Sequence, residues 1–487
     1  MKIRVPPPLR RTLAASLVLP VLAGCASGLF GRLGPDYAPD VAPAAAAWHA
    51  PLPDPRPHAG SPRRLAQWWA QFNDVALDAL IAAAQARSGT LVQAAATIER
   101  SRADAIAAGV AASPSLDAIA SANRSAFTFG GPVAYRAQTQ FGVQASWEID
   151  LFGGLARQRE SVQATLEANV AAWHDARVSV AAEVANAYVN FRHCELQVAQ
   201  ATADARSRAA TARMTEAAGK AGLQSRAAVA LAQSAAAESA TAHSQRRAQC
   251  EVSVKGLVAL TAYEEPALRA VLAKQPSPKL PEPQQFRIDA IPARVVAQRP
   301  DVAAAERRLA AASADIGHAE ADRYPRLTLS GSITPTRIAV TPSPAISLTT
   351  WSIGPALVLP LVDGGRRSAN VEAYRAQYAA AETVYREKVR TAVREVEEAL
   401  VRLDSAASRE ADTLTSAAGY RANFDAAQAR LKSGLGSALE LEEARRLSLA
   451  ADATVVALAQ ERVGAWIALY RAVGGGWEPE SPQRTTP

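Results

Sequence analysis

Four stretches of the chain alternate apolar and polar residues with a period of two. In the clearest, over 139–151, Phe141, Val143, Ala145, Trp147, Ile149 and Leu151 interleave with Gln140, Gln144, Ser146, Glu148 and Asp150. Leu327, Leu329 and Ile333 alternate with Thr328, Ser330, Ser332 and Thr334. Trp351, Ile353, Leu357 and Leu359 share one face against Thr350 and Ser352. A weaker stretch sets Leu116, Ala118, Ala120 and Ala122 against Asp117, Ser121 and Asn123. Successive side chains of a strand point to opposite faces, so each stretch predicts a strand with one apolar and one polar face. Strands are expected at 116–126, 138–151, 326–335 and 346–360.

Elsewhere the apolar period is helical. Residues 75–112 and 300–323 carry it, and Arg299-Pro300-Asp301 opens the second with Pro in the first turn and Asp at the positive end. No Pro interrupts 154–217 or 366–431. At 1.5 Å per residue such helices reach roughly 95 to 100 Å. Gly219 and Gly222, then Gly434 and Gly436, mark reversals, and return helices are expected over 224–260 and 437–473. The two halves are in register. Pro114 and Pro325, and Gly153 and Gly364, are 211 residues apart, while Gly222 and Gly434 are 212 apart. A fixed offset over more than a hundred residues marks an internal repeat. Each copy reads helix, strand pair, very long helix, return helix. The chain divides into a signal segment 1–24, an extended lipidated linker 25–74, repeat 1 at 75–280, repeat 2 at 281–477 and a tail 478–487.

Composition narrows the picture. Ala is roughly 23% of the 487 residues and aromatics are 6%, which suits long, closely packed helices. Of the net charge of +7, four units are Lys2, Arg4, Arg10 and Arg11, so the remainder does not suggest a nucleic-acid binder. A mean hydropathy of −0.05 excludes a bundle of membrane-spanning helices. No nucleophile-elbow, zinc-protease His-Glu-x-x-His or phosphate-loop spacing occurs, and the six His have no i,i+3 or i,i+4 pairing. No enzyme, metal or cofactor is indicated. The four basic residues precede a short apolar run that ends in Leu22-Ala23-Gly24-Cys25, the form of a secretory signal cut before an acylated Cys25. This end resembles a bacterial lipobox, and in lipoproteins of that kind Ala rather than Asp after the Cys, here Ala26, implies sorting to the outer membrane. Residues 26–66 are rich in Pro and Ala and are read as an extended leader.

Amphipathic strands fit a soluble sandwich, or a barrel with lipid outside and water inside. The lipoprotein address and the long helices favour the barrel. Four strands cannot close one, so an oligomer must supply the rest, and three copies give twelve strands.

Several motifs carry a resemblance. Gly34-Pro35-Asp36-Tyr37, Trp147-Glu148-Ile149-Asp150-Leu151-Phe152-Gly153, Ile291-Pro292 before Arg299-Pro300-Asp301, Leu361-Val362-Asp363-Gly364-Gly365-Arg366-Arg367 and Leu469-Tyr470-Arg471-Ala472-Val473-Gly474-Gly475-Gly476-Trp477 resemble the TolC-like outer-membrane efflux family. The match is to its NodT-type lipoprotein branch, over about residues 20–477. The resemblance implies a mainly α fold with β: tandem long helical hairpins and two β-hairpins per chain. The homotrimer forms a twelve-stranded outer-membrane barrel and a periplasmic helical tunnel. It further implies a periplasmic membrane-fusion adaptor, an inner-membrane resistance-nodulation-division pump, outer-membrane lipid as surroundings, and no catalysis. A lipid-anchored periplasmic coiled-coil adaptor or scaffold is the rival reading, but it has no use for two amphipathic strand pairs.

In the family, acidic and Arg residues on the second return helix help to close the periplasmic tip. The matching positions are Glu440, Glu443 and Arg446. The family usually has Asp at both acidic positions and a further Asp in the first copy, where this chain has Ala228. An ordinary i,i+3 pair on a solvated face is the other reading of Glu443 and Arg446. Separately, Cys194 and Cys250 lie equally far from Gly222, so antiparallel helices would bring them level. A periplasmic disulfide or two separate buried thiols fit that spacing.

Overall fold

The structure is a computed structural model. It describes residues 31–38, 48–50, 68–128, 130–274, 280–281 and 296–477. The signal segment, Cys25, the leader around Pro51–Pro57, Ile291-Pro292 and the tail lie outside the described residues.

A 3-10 turn, Trp68–Phe72, precedes α1 (Val75–Arg87), α2 (Gly89–Val110), β1 (Ser115–Phe127), β2 (Ala134–Ile149), α3 (Gly154–Lys220), α4 (Arg226–Thr261) and α5 (Glu265–Leu272). The second half runs α6 (Pro300–Ala321), β3 (Arg326–Val340), β4 (Ile346–Val358), α7 (Arg366–Lys432) and α8 (Ala438–Ala472). Both long helices have 67 residues. The single helix expected over 75–112 is two. Ser88 is extended (φ −64°, ψ 121°) and its Oγ accepts from Leu91 N at 3.4 Å, so it ends α1 and caps α2. The eight-residue α5 was not anticipated at all.

The chain also folds across its repeats rather than along them. One compact unit holds the described residues within Met1–Val41, Ala96–Val170 and Ala304–Arg386; the other holds those within Ala42–Ala95, Ala171–Ala303 and Glu387–Pro487. Each draws on both copies, because a lone copy cannot bury its own apolar faces.

In the first unit the strands form one antiparallel sheet in the order β1-β2-β3-β4. The register aligns like with like. Ala118, Val143, Ile333 and Trp351 make one apolar row, and Leu116, Ala145, Gly331 and Ile353 the next. On the opposite face Asp117, Gln144, Ser332 and Ser352 are aligned, with the Ser332 and Ser352 hydroxyls 3.1 Å apart. β3 continues through Pro335, past the expected end at 335, and the ladder to β2 skips the residues between Gln140–Thr336 and Val143–Ile333. Pro335 offers no N–H there. Gly142 lets the backbones approach, since a Cβ on it would lie 2.4 Å from the Ile333 carbonyl oxygen.

The landmark glycines follow the strands. Asp150 Oδ2 accepts from Ala156 N at 2.9 Å, and Asp363 accepts from Gly365 N at 3.0 Å and Arg367 N at 3.1 Å, so each carboxylate caps the start of a long helix. Gly153 (φ 76°) and Gly364 (φ 66°) take left-handed turns that other residues resist. The leader is bound beside this corner. Arg157 is 1% exposed, and its guanidinium donates to the carbonyls of Leu33 at 3.0 Å and Gly34 at 3.3 Å, pairing with Asp36 at 2.6 Å and Glu160 at 2.8 Å. Leu33 N donates to Phe152 O at 3.2 Å.

The second unit holds the main hydrophobic core, in which Trp68, Leu80, Tyr188, Leu257, Leu268, Leu400 and Leu469 are fully buried. Asp74, Tyr188 and Arg192 form a bonded polar group inside it. Asp74 caps α1, accepting from Ala76 N at 2.9 Å, and also accepts from the Tyr188 hydroxyl at 2.6 Å. Arg192 Nε donates to that hydroxyl at 2.9 Å, and its Nη2 to Leu272 O at 2.9 Å. Burial, with Asp74 beside it, pushes the Tyr188 hydroxyl above its ordinary range.

Candidate functional site

The residues singled out at the helical tip lie on two similar reversals. Gly222 (φ 73°) takes the turn after α3, and Ser225 Oγ then caps α4 through Ala228 N at 3.1 Å. Gly434 (φ 77°) takes the turn after α7, and Ser437 Oγ caps α8 through Glu440 N at 3.1 Å. Leu223 N to Ala218 O (2.8 Å) and Leu435 N to Arg430 O (2.9 Å) close the helix ends in the same way.

Glu440, Glu443 and Arg446 do not meet as one cluster. Glu440 pairs across the reversal with Arg430 at 2.5 Å. Arg446 donates to Glu443 at 2.6 Å and 3.0 Å, and both side chains are more than half exposed. Arg446 holds the Glu443 carboxyl below its usual range and is itself raised by it.

Their sequence neighbours do the opposite. Arg445 is 3% exposed and crosses from α8 to α3, donating to Ser207 Oγ at 2.8 Å and Thr211 Oγ1 at 3.2 Å. It pairs with Glu442, which also meets Arg208 at 3.2 Å; Arg208 in turn holds Asp204 at 3.1 Å. The Arg445 guanidinium stands 5.5 Å from the Phe424 ring centre. This network stitches the long helix of one copy to the return helix of the other. Sequence reasoning passed it over. The one available signal was the Glu442-Glu443-Ala444-Arg445-Arg446 run, whose two i,i+3 pairs point to different sides of the helix.

Cys194 on α3 and Cys250 on α4 are disulfide-bonded in the structure, with Cα atoms 5.6 Å apart. Above them a cavity of about 650 Å³ is lined by Glu183, Asn186, Asn190, Glu395, Glu398 and Arg402 among others. The Arg299-Pro300-Asp301 motif lies in the same unit. Arg299 grips Asp301 at 2.9 and 3.0 Å, pairs with Glu395 at 2.8 Å and donates to Ala472 O at 3.0 Å. Burial opposes the Asp301 charge, but Arg299 outweighs it and holds the carboxyl below its usual range. Among the described residues no group of three or more His, Cys, Asp or Glu could hold a metal ion. None of their helices alone is long and apolar enough to cross a membrane.

What the arrangement offers is a surface rather than a reaction centre. On the sheet, Leu116, Trp351 and Ile353 are each 73% exposed, and among the described residues of the single chain both edge strands, β1 and β4, are unpaired on their outer sides.

Comparison with known proteins agrees. The model of the family described as outer membrane efflux protein matches residues 80–262 and 291–475. The chain is 30% identical over 479 residues to nodulation protein T of Rhizobium leguminosarum bv. viciae, covering 96% of this chain and 93% of that protein. It is 27% identical to outer membrane protein OprJ of Pseudomonas aeruginosa, covering 96% of each. The solved structure of the outer-membrane channel OprN superposes with a TM-score of 0.80 at 28% identity, covering 91% of this chain and 99% of that one. With a family match to both repeats and a shared fold along most of its length, the chain belongs to the outer membrane efflux protein family, as the outer-membrane channel of an efflux pump and not an enzyme.

Proposed function

We propose that three copies of this chain close a twelve-stranded barrel in the outer membrane, and that their long helices continue it as a periplasmic duct. The observation that carries this reading is the apolar sheet face, open to its surroundings over Leu116, Phe141, Ile333, Trp351 and Ile353, on a sheet with two unpaired edges. A lone chain in water would bury that face. A barrel wall satisfies both the face and the edges. A periplasmic adaptor or scaffold would leave both unexplained.

A lipid on Cys25 anchors each chain beside its barrel. The reversals around Gly222 and Gly434 receive a periplasmic adaptor, which couples the duct to an inner-membrane resistance-nodulation-division pump. The i,i+3 pair Glu443–Arg446 and the Glu440–Arg430 pair sit at that end and restrict the opening. The Cys194–Cys250 bond has a structural role, tying α3 to α4 where the return helix leaves the core.

Native mass spectrometry of detergent-purified protein is expected to give three chain masses, and a monomer contradicts the reading. In planar bilayers Arg446→Ala is expected to raise single-channel conductance. Unchanged conductance would reduce the pair to a solvated surface contact.

A further inference from the structure

The apolar face of the sheet is not apolar along its whole height. Register continues it toward the hairpin tips, and there it changes character. Beyond Ala122, Phe141 and Pro335 the same face carries Arg124 on β1, Tyr135, Ala137 and Thr139 on β2, Arg337 on β3 and Ser347 on β4. Arg124 and Arg337 are exposed, and the Arg124 guanidinium lies 5.5 Å from the Tyr135 ring centre. Arg124 pairs in register with Ala137, and Arg337 with Thr139, two residues further along β2. From strand spacing and rise, the two Cα atoms are roughly 12 Å apart, and both side chains leave the same face.

Acidic residues are missing from this region. Neither 118–147 nor 327–362 contains an Asp or Glu; the acids of the sheet, Asp117 and Glu148, sit at its other end and on its other face. A third arginine, Arg136, is near the tips but on the polar face, where it donates to Gln138 Oε1 at 2.8 Å.

The leader gives the sheet a direction. Leu33 N is bonded to Phe152 O, just past the base of β2, and Arg157 clamps Leu33 to Asp36 there. Cys25 is eight residues before Leu33, so an acyl chain on it is within about 28 Å of the strand bases. Such a chain, added on the periplasmic side, enters the periplasmic leaflet. The tips of β1–β4 then lie in the outer leaflet.

We propose that Arg124, Arg337 and Tyr135 form a docking rim for the bisphosphorylated glycolipid of the outer leaflet. Its acyl chains lie on the apolar rows below, and its two phosphates, at the ends of a disaccharide, take the two guanidiniums. Arginine suits this position, since its stem packs on apolar surface while its planar fork holds phosphate. Tyr135 sits at the level where aromatic girdles meet headgroups. The docking rests on the barrel reading above.

The test uses full-length lipidated protein in detergent, titrated with lipid A and read by native mass spectrometry. Wild type is expected to retain lipid A, and Arg124→Gln/Arg337→Gln to bind it about tenfold more weakly. Arg136→Gln removes the same charge from the other face and is expected to bind as wild type does. All three should keep trimer mass and ion conduction. Equal binding by the double variant, an equal loss in Arg136→Gln, or equal retention of dephosphorylated lipid A overturns the docking while leaving the barrel intact. Equal retention of phosphatidylglycerol overturns the assignment to a glycolipid. Wild type with neither trimer mass nor conduction overturns the barrel reading, and the docking falls with it.

Discussion

The two compact units use the same kinds of apolar residue in opposite ways. In the helical unit Leu257, Leu400 and Leu469 have no exposed surface. In the sheet unit Trp351 and Ile353 are 73% exposed and aligned in rows. Burial in the first case identifies a core shielded from water by the chain itself. Regular exposure in the second identifies a face made for a different surrounding, supplied from outside the chain. The polar residues reverse with it: Arg192 and Arg445 are buried in bonded networks, whereas Asp117, Gln144 and Ser352 form an open polar face.

Substitutions at matched positions sharpen the contrast. Leu400→Ala leaves a hole in a packed core and is expected to cost about 2 to 5 kcal/mol in any solvent. Ile353→Arg is expected to cost about 2 to 4 kcal/mol in a bilayer, while Ser352→Arg on the opposite face costs little. Denaturant titrations in vesicles measure all three, and equal costs at 352 and 353 would erase the distinction between the faces. Next in size is the Cys194–Cys250 bond. Replacing both with Ser frees the chain between residues 56 apart and should lower the stability of the helical unit by about 2 to 4 kcal/mol. Helical circular dichroism on heating reads this, and it should leave heat-modifiable barrel migration unchanged.

The smallest effect expected is a pH dependence of the helical unit. Burial, with Arg177 adding to it, lowers His174 to about 4, below its ordinary value. The unfolded chain therefore binds the proton first. The contribution of the neutral ring is complete above about pH 6.5 and is lost as the pH falls through that window toward 4. Melting temperatures at pH 7, 5.5 and 4 should fall progressively, and His174→Gln should flatten part of the fall.

Much of the sheet was legible in the sequence because period-two alternation is a local signal, and Gly153, Gly364, Gly222 and Gly434 punctuate the chain where backbone geometry demands it. The break at Ser88 was hidden by an apolar period that continues through it. The Arg445 network joins side chains 234 and 238 residues apart, a separation at which sequence carries no contact information without the fold. Glu442 and Glu443 are chemically identical, and only the helix face distinguishes a buried partner from a solvated one. The Arg157 clamp is hidden for the same reason: its partners Leu33, Gly34 and Asp36 lie more than a hundred residues away.

The central claim is that the exposed apolar rows face lipid around a water-filled path. Ion conductance of purified protein in planar bilayers, with wild type beside Arg446→Ala, tests it most directly. The account predicts discrete channel steps, larger in the variant. Bilayers that stay silent with both proteins, at trimer concentrations confirmed by mass, would contradict it.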